Sequence, residues 1–322
     1  YRVPSVVDGI IEQTYAQSGS GLSRQQLQEL LHGVIAKDKQ ISSIYAQFEE
    51  GGYLDKDADW MKQASHSVAD KGTLEIYFVR NADGSISQQP VDKAASDGKY
   101  DQTPNEFGIR NGEWYLCAKE KLTPCLMEPY VYEVSPGHKE LMTSLTVPIQ
   151  RNGQFVGLTG VDLNLPRFQQ QTEELSHALY DGTATVVLLS SKNLIVGSSQ
   201  HKDKIGRPLS ELPDVEAANW NRLLQSSSDI LVEDEYILAR YPIQIPSANQ
   251  TWTLLLSVPK VKAMSQANII ASELDELVKG VGSRQIVIGM IITLIAVALL
   301  VMLLSSIAKP LRLITSHVAD LT

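Results

Sequence analysis

Of the residues able to do chemistry, Asp162 has the most informative surroundings. It interrupts the stretch from Val156 to Leu165, whose other members are mostly apolar or small. An unpaired carboxylate there is costly, so Asp162 is expected to face a partner or a ligand. Trp114 and Tyr115 sit side by side upstream and read equally well as core aromatics of a sheet. Arg110, close to acidic residues, reads by itself as half of a surface ion pair worth about 0–1 kcal/mol. Cys117 and Cys125 are the only cysteines and share a short polar loop. Such a pair either closes a small disulfide in an oxidising compartment or remains two free thiols. The six histidines are scattered, so no metal-ligand spacing is visible, and neither metal nor cofactor is expected. The chain has no Gly-x-Ser-x-Gly elbow, no His-Glu-x-x-His, no phosphate loop and no paired-carboxylate signature. The expectation is a binding protein rather than an enzyme. A formal net charge of -9 without a Lys/Arg-rich block argues against nucleic acid as partner.

These residues need elements to hold them. Ser23 and Gln26 form a capping box, and Leu27, Leu30, Leu31, Val34, Ile35, Ile41, Ile44, Tyr45 and Phe48 keep the spacing of one helical face. The pattern predicts a long helix ended by Gly51 and Gly52, within a segment 1–50. From Thr73 the period becomes extended. Leu74 to Val79 leads into a turn at Asn81 to Gly84, and a second block from Leu141 to Ile149 turns at Asn152-Gly153, a strong hairpin signal. A helix begun by Pro166 follows. The plan then repeats: a strand from Thr183, a turn at Lys192-Asn193, a helix near Val215 to Leu224, and strands from Tyr236 and Trp252. The fold expectation is α+β, two tandem antiparallel-sheet modules at 51–166 and 167–262. A linking helix at 263–285 then enters the uncharged run Ile286 to Leu304. About 20 such residues match a bilayer core of about 30 Å, so 286–307 reads as a transmembrane helix. Flanking Lys279, Arg284, Lys309 and Arg312 do not fix its orientation, whereas the cysteine pair favours an extracytoplasmic sensor region. Both ends of the chain read as cut from a longer protein.

In this order of elements the chain resembles the double-Cache sensor region, built of PAS-like modules, of bacterial methyl-accepting chemoreceptors and related sensor kinases. The motifs are Tyr100-Asp101, Trp114-Tyr115, the run Glu128 to Val131, the run Ser144 to Pro148, the run Gly153 to Gly157, and Gly160 to Leu163. Ile205 to Leu209 and Trp252 to Pro259 extend the likeness into the second module. Lys309-Pro310-Leu311 looks like the start of a HAMP relay, at 308–322. One subgroup of this family binds free amino acids with an Arg-Trp-Tyr cluster, a later Tyr and an Asp. Carried over by position, these are Arg110, Trp114, Tyr115, Tyr130 and Asp162, with Tyr77, Tyr132 and Ser144 completing the expected ligand-contacting set. Two positions depart from the pattern: Arg110 lies four residues before Trp114 rather than two, and Tyr132 stands where an Asp is common.

The residue types suit a zwitterion. Arg110 offers a planar fork and Trp114 an N–H to a carboxylate, Asp162 faces the ammonium, and the tyrosines supply rings and hydroxyls. The leading expectation is a chemoreceptor for an L-amino acid in the cell inner membrane, with its sensor region periplasmic. A biogenic amine or polyamine is the alternative, since it needs anions and rings but no arginine; another is the sensor of a histidine kinase or diguanylate cyclase. The resemblance also implies a homodimer and a cytoplasmic chemotaxis kinase and adaptor as partners.

Overall fold

Two helices open the chain, α1 (Val3–Ser18) and α2 (Arg24–Lys37), in a computed structural model. It describes residues 3–18, 21–62, 65–135, 137–265 and 270–272, with Thr293, Leu294 and Val297. The capping box forms as the sequence predicts: the Ser23 hydroxyl accepts from the Gln26 amide while the Gln26 side chain accepts from the Ser23 amide. Leu27, Leu31 and Ile35 bury one face of α2. The helix does not run on to Phe48. The Asp38 carboxylate accepts a hydrogen bond from the Gln40 amide, a local turn that competes with the helical ladder. The chain then enters β1 (Ser43–Phe48), which is buried throughout. This corrects the expected long helix: Ile44 and Phe48 face α2, whereas Tyr45 points to the other side of a sheet.

The first sheet adds β2 (Glu75–Arg80) and β3 (Ile86–Gln88). Helices α3 (Lys93–Gly98) and α4 (Glu113–Lys121) follow, then β4 (Cys125–Leu126), β5 (Tyr130–Ser135), β6 (His138–Arg151) and β7 (Gln154–Asn164). Its order is β3-β2-β1-β7-β6-β4, with β5 also on β6, all antiparallel. Asn152 and Gly153, both at positive φ, close the β6–β7 hairpin in the conformation that matches strand twist. Alternation along each strand divides the residues between two faces. Ile44, Ile76, Phe78, Leu145 and Val161 join Val7, Ile11 and Leu31 in the core beneath α1 and α2. Tyr45, Tyr77, Leu158 and Met142 face the other way, beneath Tyr115 and Ala118 of α4.

The second sheet comprises β8 (Thr185–Leu189), β9 (Ile195–Ser198), β10 (Ile230–Val232), β11 (Tyr236–Ile245) and β12 (Gln250–Pro259), in the order β10-β11-β12-β8-β9. It is reached through α5 (Leu165–Ala178), with α6 (Asp214–Gln225) inserted between β9 and β10. Trp220 and Leu223 of α6 pack on Leu238 and Leu255. Leu188, Val196 and Trp252 on the other side belong to the same apolar cluster as Leu126 and Leu145, so the modules share one core.

Residues 1–260 form one unit and 261–322 another. In the second, residues 261–265, 270–272, 293, 294 and 297 are helical. Among the described residues no helix is long and apolar enough to cross a membrane. The rest of the run Ile286 to Leu304 and the segment 308–322 lie outside the described residues.

Candidate functional site

Strand register builds the site. Asp162 on β7 lies opposite Ser43 of β1 on one side and Ser144 of β6 on the other. Directly opposed residues share a face, so two hydroxyls flank the carboxylate. Ser144 Oγ donates to Asp162 Oδ1 at 2.6 Å, and Tyr130 Oη is 2.6 Å from Ser144 Oγ. Tyr77 Oη donates to Ser43 Oγ at 3.3 Å. One step along, Tyr45 pairs with Gly160, where a Cβ would come within 2.3 Å of the Tyr45 ring. A glycine there lets the ring lie flat across β7.

The outcome is a box. Tyr45, Gln47, Tyr77, Trp114, Tyr130, Tyr132 and Asp162 line a small, partly open cavity of about 20 Å³, room for little more than one water molecule. Its rings meet edge to face: Tyr45 with Tyr77 at 6.0 Å and with Trp114 at 5.5 Å, and Tyr132 with Tyr77 at 6.1 Å. Asp162 is 2% exposed. Burial pushes its carboxyl up from the ordinary 3.8 to about 7, with Ser144, Ser43 and Tyr45 pulling the other way. Burial, reinforced by the charge of Asp162, holds the phenols of Tyr45, Tyr77 and Tyr130 well above their usual range. They remain neutral rings and hydroxyls.

Trp114, Tyr130 and Tyr132 also line a second, wider cleft of about 550 Å³, within the range of small-molecule sites. Its walls carry Asp101, Glu113 and Glu128 from the first module and Ile205 to Arg207 from the second. Arg110 is here rather than in the box. Its guanidinium is taken up by Glu113 at 2.6 Å and by both oxygens of Glu120 at 2.7 and 2.9 Å. Arg207 is likewise held by Glu211 and Glu106.

Of the residues singled out in the sequence, Tyr77, Trp114, Tyr130, Tyr132 and Asp162 line the box, and Ser144 supports Asp162 from behind. Tyr115 lines neither cavity: it is buried on the inner face of α4, its hydroxyl donating to Glu49 at 2.8 Å. Trp114 and Tyr115 belong to a helix, not a sheet. Cys117 and Cys125 are bonded, and both are buried on α4 and β4 rather than exposed in a loop. They pack with Met127 against Trp114 and Tyr130 and so brace two walls of the box. Tyr45 and Gln47 were not expected. Both fall in the stretch with helical spacing, and only the two-residue period of 43, 45 and 47 could have signalled them. Among the described residues no group of three or more His, Cys, Asp or Glu could hold a metal.

Residues 28–170 match the family described as methyl-accepting chemotaxis protein-like, first PDC sensor domain. The methyl-accepting chemotaxis protein TlpQ of Pseudomonas aeruginosa is 27% identical over 310 residues, which is 93% of this chain and 42% of TlpQ. The chain therefore spans less than half the length of that relative. Among solved structures, the extracellular domain of a protein named as a histidine kinase, mmHK1S-Z3, has a TM-score of 0.60 at 19% identity, covering 82% of this chain and 89% of its own. The periplasmic sensory domain of the Campylobacter jejuni chemoreceptor Tlp1 has a TM-score of 0.55 at 13% identity, covering 81% and 88%. The fold is thus the mixed helix and antiparallel-sheet fold of PAS-like sensor domains.

Proposed function

We propose that this chain is the sensor region of a transmembrane chemoreceptor and that its first module binds a small amine through Asp162. The observation that carries this reading is the composition of the box: one buried carboxylate, five aromatic residues and, among the described residues, no basic side chain. An ammonium satisfies the carboxylate in a dry setting and gains cation-π attraction of about 0.5–2 kcal/mol from the rings. A ligand carboxylate finds no cation in the box, and the nearby Arg110 is already engaged by two glutamates. An L-amino acid is the second reading, favoured by the presence of Arg110 on the wider cleft, where the rest of a bound amino compound would extend.

The likeness to TlpQ supports chemotaxis as the output. In this reading Ile286 to Leu304 crosses the inner membrane, the sensor region is periplasmic, and Lys309-Pro310-Leu311 begins a HAMP relay that works as a homodimer and reports to a cytoplasmic kinase and adaptor. Calorimetry with amino acids and their decarboxylated counterparts, such as L-leucine with 3-methylbutylamine and L-ornithine with 1,4-diaminobutane, separates the two ligand classes. The amine of a pair should bind at least as tightly as its parent. Arg110→Ala should leave that affinity in place, and Asp162→Ala should weaken it by about 100-fold. Binding confined to the amino acids and lost in Arg110→Ala would make the second reading correct.

A further inference from the structure

Aromatic boxes generally favour bulky, even quaternary, ammonium groups, because ring faces attract the cation and ask for no hydrogen bond. This one contains more than rings. Gln47, 7% exposed, and Tyr45, 3% exposed, lie two residues apart on the same face of β1, in the strand next to Asp162. Gln47 Oε1 and Tyr45 Oη are buried and accept no hydrogen bond among the described residues, while the Tyr45 hydroxyl lies close enough to Asp162 to draw its carboxyl down. Both residues line the same small cavity as the carboxylate. The box therefore presents acceptors on three side chains: Asp162, Gln47 and Tyr45. A buried oxygen left without a donor costs more than the net worth of an ordinary hydrogen bond, so the site favours whichever cation brings enough N–H groups.

We infer that the box selects primary amines over N-methylated ones, with Gln47 and Tyr45 as the residues that set the selectivity. This rests on the amine reading of Asp162. A primary ammonium has three N–H bonds for the three acceptor side chains. Each methyl group removes one donor and sets a carbon against an oxygen that then has no partner. It also adds volume to a cavity of about 20 Å³. Selectivity thus comes from the acceptors and from size acting together, and truncating an acceptor separates the two.

The test is a titration of the chain, by calorimetry and thermal shift, with butylamine and its N-methyl, N,N-dimethyl and N,N,N-trimethyl derivatives. Affinity should fall on the order of tenfold for each N–H removed. Gln47→Leu, close in size but without the oxygen, should bind butylamine more weakly and compress the spread across the series by about one such step. Tyr45→Phe should do the same, and it serves if Gln47→Leu does not fold. Equal or rising affinity with methylation overturns the inference while leaving the amine reading intact. So does a spread that neither variant alters. If none of the four compounds binds, the amine reading and this inference fall together.

Discussion

Asp162 carries a standing cost when no cation faces it. Its carboxyl titrates near pH 7 in the folded chain and near 3.8 when unfolded, so between those values the folded state holds a proton that the unfolded state has released. The contribution of Asp162 to stability is then greatest below about pH 4 and falls as pH rises towards 7, the reverse of a salt-bridged carboxylate. Asp162→Asn removes the titration. At pH 8 the empty variant should be more stable than the parent by on the order of 2–4 kcal/mol in urea denaturation, while binding no amine. A variant less stable than the parent at pH 8 would show that the carboxylate is well paired inside the fold. Amine affinity of the parent should rise from pH 6 to pH 8 as the carboxylate ionises. Asp162 was legible in the sequence because a charge in an apolar run needs a reason. Gln47 was not, because a single polar residue near the end of an apparent helix looks solvent-facing.

At the scale of elements, turn chemistry was the most legible feature. Asn152-Gly153, Asn81 to Gly84 and the Ser23 capping box all form where their residues predict. Strand β1 was not legible, for a physical reason. A central strand covered on both faces loses the apolar-polar alternation, and Ile41, Ile44, Tyr45 and Phe48 happen to continue the phase of α2. Placing that strand brings Tyr45 beside Gly160 and Ser43 beside Asp162, contacts no helix could make. The disulfide is the other determinant of the site at this scale. It ties α4 to β4 across eight residues behind Trp114 and Tyr130. A Cys117→Ser, Cys125→Ser double variant should lose about 2–3 kcal/mol of stability by the chain-entropy estimate and bind amine several-fold more weakly. Unchanged affinity in that variant would mean that sheet packing alone sets the walls of the box.

Within residues 1–260, one polar link between the modules runs through five consecutive residues. Leu126 O accepts from Gln250 Nε2 at 3.0 Å, and the Met127 amide donates to Ser144 O at 2.8 Å. Glu128 Oε1 accepts from the Ser191 hydroxyl and from the Lys192 amide, and two residues on Tyr130 meets Ser144, the partner of Asp162. A double-mutant cycle on Glu128→Ala and Ser191→Ala should give a coupling of about 1–2 kcal/mol in stability. A value near zero would mean that the two groups do not meet in solution. The wider cleft has walls from both modules, with Arg207 bridging to Glu106 across it. Linkage between two sites is reciprocal. If closing that cleft on a ligand displaces the second module, then clamping the second module must shift ligand affinity by the same factor. A copy of this chain packed among neighbours would then bind ligand with a different affinity from the same chain free in solution, with no change in any residue that touches the ligand.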